Sequence, residues 1–158
     1  MKKTLMITCL TLLSVNHAFA QDSLFAPAVN YGMFYGSYSV FAVDLDGDID
    51  KDLAAVDWGT NVTIAKNIGD GTFPVEINYA AGSRPWSVFA ADLDGDGDKD
   101  LAVANWVSDN ISVLMNNGDG TFQAAVNYGA GDGPMSIFAA DLDGDGYNDL
   151  AACRRTLS

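Results

Sequence analysis

The chain has 158 residues and a formal net charge of −13, with 21 Asp and Glu against eight Lys and Arg. Nucleic acid and anionic membrane surfaces are bound through clustered Lys and Arg, so a balance this acidic argues against both as partners. One histidine and two cysteines leave little material for catalytic triads or for zinc.

Lys2 and Lys3 precede the apolar run Thr4 to Val15, and Ala18, Phe19 and Ala20 stand before Gln21. The run is about a dozen residues, too short to cross a bilayer, and basic residues followed by an apolar run and small residues predict a secretory signal over residues 1–20. The expected location is outside the cytoplasm, secreted, extracellular or periplasmic, with no membrane span after cleavage. Cleavage removes His17, so no Ser/His/Asp or Cys/His arrangement and no imidazole zinc site remains. Cys153 becomes the single cysteine and an internal disulfide is ruled out.

From Ser39 onward the chain repeats. SVFAVDLDGDIDKDLAAVDW begins at Ser39, SVFAADLDGDGDKDLAVANW at Ser87 and SIFAADLDGDGYNDLAAC at Ser136. The second half of the unit repeats as well: NIGDGTFPVEINY ends at Tyr79 and NNGDGTFQAAVNY at Tyr128. Earlier, LFAPAVNY ends at Tyr31 and matches the tail of such a unit, so residues 21–38 are expected to hold the end strand of a preceding blade and a connector. The units are then 39–86, 87–135 and a truncated 136–158.

Alternation with period two gives four strands per unit, in the second unit 87–93, 100–105, 111–116 and 122–128, separated by turns rich in Gly, Asn and Asp. No stretch after residue 20 has useful helical periodicity. The fold class is all-β, with four-stranded antiparallel blades of about 48 residues, the signature of a β-propeller. Propellers close with about 4 to 8 blades and need roughly 190 residues or more. The chain therefore accounts for about two to three blades and reads as part of an incomplete propeller. Unpaired strand edges should favour self-association, or completion by blades from a longer chain.

The stretches DLDGDGDKDLAVAN and NNGDGTF resemble the FG-GAP and VCBS repeats of integrin α-subunit propellers and of many secreted bacterial proteins. The likeness covers nearly all of residues 24–152. Phe-Ala stands where Phe-Gly is expected, and Ala-Asn-Trp or Val-Asp-Trp where Gly-Ala-Pro would fall, as in the bacterial form of the repeat.

Fourteen of the 21 acidic residues lie in three nine-residue loops. Two carboxylates 4 Å apart repel by about 1 kcal/mol in water and about 4 kcal/mol at an effective dielectric of 20; a divalent cation reverses the sign. Oxygen ligands of flexible number suit Ca²⁺ better than Mg²⁺. An EF-hand is excluded, because its position 12 must be Glu and here is Ala55, Val103 and Ala152. The resemblance implies up to three Ca²⁺ ions, held by side chains at loop positions 1, 3, 5 and 9 and the carbonyl of position 7. These are Asp44, Asp46, Asp48, Asp52 and the carbonyl of Asp50; Asp92, Asp94, Asp96, Asp100 and that of Asp98; Asp141, Asp143, Asp145, Asp149 and that of Tyr147. In the first loop Ile49 replaces the glycine that eases the bend at position 6.

Strands that alternate in direction place the loops after the first and third strands on one rim. Tyr38, Trp58, Arg84, Trp86 and Trp106 fall on the opposite rim, where aromatic side chains offer contact area to a protein or carbohydrate ligand. The expected function is a non-enzymatic, calcium-binding recognition or adhesion module. The alternatives are the non-catalytic or partial propeller portion of a secreted polysaccharide-degrading enzyme, or a fragment with no function of its own. Asp70 and Asp119 lie in Gly-Asp-Gly turns and read as hairpin residues rather than as acids or bases.

Overall fold

In the computed structural model, residues 29–31 and 36–154 are described. The expected signal over 1–20, much of the 21–38 connector and the last four residues lie outside them. Ten strands and no helix occur among the described residues. Strands β1 (Ser39–Val43), β2 (Asp52–Val56), β3 (Asn61–Lys66) and β4 (Val75–Ala80) form one antiparallel sheet in sequence order. A second is built from β5 (Pro85–Ala91), β6 (Asp100–Asn105), β7 (Asn110–Leu114) and β8 (Val126–Gly129). Strands β9 (Pro134–Ala140) and β10 (Asp149–Arg154) pair as a two-stranded third sheet. The fold is all-β, two complete propeller-type blades and half of a third, without closure.

The blades stack because the second strand of each is small and apolar on both faces. All five residues of β2 and all six of β6 are buried, and their alanines let neighbouring sheets approach. Ala54, Val56, Val62 and Ile64 of the first blade share one core with Val88, Leu101, Val103, Leu114 and Phe122 of the second. On the other side of the second blade, Ala102, Ala104, Ile111 and Val113 meet Ile137, with Leu150 at the edge. The inner strands repeat one junction geometry: Phe41 lies 4.8 Å from Phe89, and Phe89 lies 4.9 Å from Phe138, both pairs at 54°.

Strands β5, β7 and β8 differ at both ends from the period-two reading, and for two of these limits the packing shows why. The first strand of the second unit starts at Pro85, two residues before Ser87, because a bulge between Pro85 and Ser87 keeps it paired with β6. The fourth begins at Val126 instead of Phe122. Phe122 makes an isolated bridge to Asn116 and turns its ring into the core between blades, so the alternation that begins there serves packing before it serves a ladder.

Candidate metal centres and the opposite rim

Each acidic loop is folded by its own carboxylates. The position-1 side chain accepts two backbone N–H groups. Asp44 takes those of Gly47 and Ile49 at 2.8 and 2.9 Å, and Asp92 those of Gly95 and Gly97 at 2.7 and 3.0 Å. Asp141 does the same with Gly144 and Gly146. At position 5, Asp48, Asp96 and Asp145 each accept the amide of position 7, from Asp50, Asp98 and Tyr147. These turns bend the chain so that its acids face one another. Asp44, Asp46 and Asp48 bring oxygens within 4.8 Å of one another, as do Asp92, Asp94 and Asp96, and also Asp141, Asp143 and Asp149. The three acidic groups can hold metal ions.

Position 9 plays a different part in the complete blades. Asp52 and Asp100 are fully buried, outside those groups, and each spans its blade. Asp52 accepts the amides of Leu45 and Asn67 at 3.0 and 2.8 Å, and Asp100 those of Leu93 and Asn116 at 2.9 and 2.8 Å. Burial pushes both carboxyls above the ordinary carboxylate value; the amides pull down and the neighbouring loop aspartates push up further. The position-7 side chains of Asp50 and Asp98 lie against Gly69 and Gly118 in the Gly-Asp-Gly turns, while Tyr147 rests on Gly95 of the second loop.

Loop 1 supplies the test of whether a cation fits. Asp46 Oδ2 pairs with Lys66 Nζ at 3.3 Å, and Lys66 also donates to the Asp119 carbonyl of the next blade at 2.6 Å. Asp46 Oδ1 is buried with no hydrogen-bond partner. Leaving a buried charged acceptor unpaired costs about 1–3 kcal/mol or more. Beside Asp44 and Asp48, a hard cation is the partner that this oxygen fits, since the neighbouring donors are all oxygen.

The missing glycine has a visible cost. Ile49 sits at φ 81°, next to Gly97 at φ 98° and Gly146 at φ 94° in the other loops. A β-branched residue in the left-handed region costs about 1–2 kcal/mol, and Ile49 is 84% exposed, so its side chain returns little by burial. Replacing Ile49 by Gly should stabilise the protein by about 1 kcal/mol after the entropy cost of glycine. Urea unfolding of the two proteins checks this; a destabilised variant would mean that the side chain does work not visible in its exposure.

Four residues of these centres escaped the sequence reading. Asn67 and Asn116 open the two Gly-Asp-Gly turns, accept their glycine amides and donate to the Lys51 and Lys99 carbonyls; Asn116 also reaches the Leu45 carbonyl of the preceding blade at 2.8 Å. Their signal was present as the first letter of the repeated NxGDGTF. Asn148, which bonds the Asp92 carbonyl, and Lys66 have no repeated counterpart to point to them.

At the far ends of β2 and β6 the structure gathers all five residues of the opposite rim. Tyr38 stacks on Trp86 at 4.4 Å and 13° and touches Trp58 at 5.5 Å, and Trp86 lies 5.8 Å from Trp106. The Arg84 guanidinium lies 4.3 Å from the centre of the Trp58 ring and 5.6 Å from that of Trp106. Arg84 itself has φ 53°, held there as its amide bonds the Gly59 carbonyl and its carbonyl accepts the Trp106 amide.

No curated protein matches the chain. Two overlapping stretches, residues 44–103 and 93–152, match the family described as FG-GAP-like repeat, each running from an acidic loop to the second strand of the following unit. With its blades, loops and Gly-Asp-Gly turns in that register over most of its length, the chain belongs to the FG-GAP-like repeat family.

Proposed function

We propose that the protein is an exported recognition module whose acidic loops take Ca²⁺ as a structural ion and whose aromatic rim meets a protein or carbohydrate partner. The observation that carries the metal half is the buried, unpartnered Asp46 Oδ1 among converging carboxylates. Bound there, Ca²⁺ would supply positive charge and accept ligands in the flexible number that such a loop offers. The chain's own part is to hold the carboxylates: Asp44, Asp92 and Asp141 do so by gripping two amides each.

A non-enzymatic reading is supported by Asp70 and Asp119. The hydroxyl and amide of Thr72 and of Thr121 hold these carboxyls below the ordinary value, which keeps them ionised and poor as general acids. The recognition half is supported by the rim, where Trp58 is 56% exposed and Arg84 makes no ion pair among the described residues.

Calorimetric titration with Ca²⁺ tests the metal reading; absence of binding heat at every loop rejects it. For the rim, Trp58→Ala and Trp106→Ala are expected to lower binding to a glycan array or to cell surfaces by about tenfold each, the size of a modest hot spot, while the melting temperature in Ca²⁺ stays close to wild type. Unchanged binding in both variants would move recognition elsewhere.

A further inference from the structure

Lys66, at the end of β3, joins the first acidic loop to the second blade. Its ammonium pairs with Asp46 Oδ2 at 3.3 Å and donates to the Asp119 carbonyl at 2.6 Å. The Lys66 and Asp46 side chains are only 24% and 19% exposed, because the Gly-Asp-Gly turn of the second blade closes over them. A Cβ on Gly120 would stand 2.8 Å from the Lys66 nitrogen and 3.0 Å from the Asp46 Cβ, so a glycine at that place lets the turn settle on the pair. Two contacts across the seam hold the turn there. Tyr79 meets Phe122 edge-on at 5.3 Å, and Asn116 donates to the Leu45 carbonyl at 2.8 Å.

The second loop has the same acids without this lysine. Positions 1, 3, 5, 7 and 9 are aspartate in both loops, and position 8 is lysine in both, Lys51 and Lys99. The residue before the asparagine that opens the Gly-Asp-Gly turn is Lys66 in the first unit and Met115 in the second. Asp94, the counterpart of Asp46, is exposed and makes no ion pair among the described residues. In loop 1, then, a positive charge is set against carboxylates that converge. It takes one oxygen of Asp46 and leaves the other, Oδ1, buried and unpartnered.

We propose that Lys66 is a built-in counter-ion that sets the cation affinity of the first loop. In the ion-free protein it offsets the charge of Asp46 and steadies the loop against its own repulsion. When the loop takes a divalent ion, the same ammonium opposes it. A single and a double positive charge about 6 Å apart repel enough, even at the dielectric of bulk water, to weaken binding about tenfold. Lys66 also holds the Asp119 carbonyl, so what it lends to the seam between the blades counts most while no ion is bound. The inference rests on the Ca²⁺ reading of the loops and adds to it the residue that tunes one of them.

Two variants of the full-length protein test this. Lys66→Met puts the side chain of the second unit into the first, and Lys66→Gln removes the charge while keeping a donor for the Asp119 carbonyl. Ile49, the other difference between the two nine-residue loops, is unchanged in both. Ca²⁺ titration is followed loop by loop through the backbone amides of Gly47 and Gly95. Both variants should fill loop 1 at about tenfold lower Ca²⁺ than wild type, with loop 2 within about twofold. In EGTA both should melt about 2–4 °C below wild type, the size of a lost half-shielded ion pair. In saturating Ca²⁺ the tighter loop offsets that loss and the midpoints converge. Unchanged or weaker binding at loop 1 in both variants, while loop 2 titrates normally, would overturn the proposal and leave the metal reading standing. Midpoints lowered equally with and without Ca²⁺ would also overturn it, making Lys66 a tie between blades only. No response at either loop in any of the three proteins would reject the metal reading, and this inference with it.

Discussion

Removing divalent ions is expected to lower the melting temperature of the protein by about 20 °C. An ion present at a hundred times its dissociation constant stabilises the folded state by about 2.7 kcal/mol per site. Two filled loops then contribute about 5 kcal/mol, and a domain of this size shifts by about 4 °C for each kcal/mol. The direction follows from the loops themselves, which in the absence of a cation hold three carboxylates within mutual reach. Thermal scans in excess Ca²⁺ and in EGTA measure the shift, and Mg²⁺ should restore less of it. Equal midpoints in Ca²⁺ and EGTA would reject the coupling of ion binding to folding.

The second large effect belongs to a carboxylate that lies outside the acidic groups. Asp100→Ala removes a buried side chain whose two oxygens serve the amides of Leu93 and Asn116. Each stranded buried donor costs about 1–3 kcal/mol, so the variant should lose about 3 kcal/mol of stability. Asp149→Ala, at the same place in the third unit but exposed and with one amide to serve, should lose less than about 1 kcal/mol. Urea unfolding in EGTA separates this structural part from any metal part. Equal losses for the two variants, or a loss for Asp100→Ala that is seen only with Ca²⁺, would refute it.

What the sequence disclosed was whatever depends on neighbours along the chain. Period-two alternation and repeated turn residues place the strands, because side-chain direction in a strand is set locally. The aspartate spacing likewise places the turns, since Asp44, Asp92 and Asp141 cap amides only three and five residues away. The division of labour inside the loops was not legible. Asp52 and Asp100 share the spacing of the other acids, yet their partners Asn67 and Asn116 arrive from the far end of the third strand, 15 and 16 residues on. Asn116 to Leu45 spans 71 residues, and no local pattern encodes such a contact. The rim is intermediate: its aromatics were visible as letters, while the seating of Arg84 against two tryptophans required the register of two blades.

The Tyr to Phe and Asn to carbonyl contacts join adjacent units and no others. Tyr79 meets the phenylalanine of the unit after it, and Asn116 reaches back only to the loop before it. A seam of this kind carries no record of how many units precede it, and stability in such an array accrues from each unit and its nearest neighbour. Duplication of a single segment of about 48 residues in the gene would therefore create a new unit whose contacts on both sides are already specified. The length of such an array can drift over evolutionary time without any seam being redesigned, and selection is left to act on the rim.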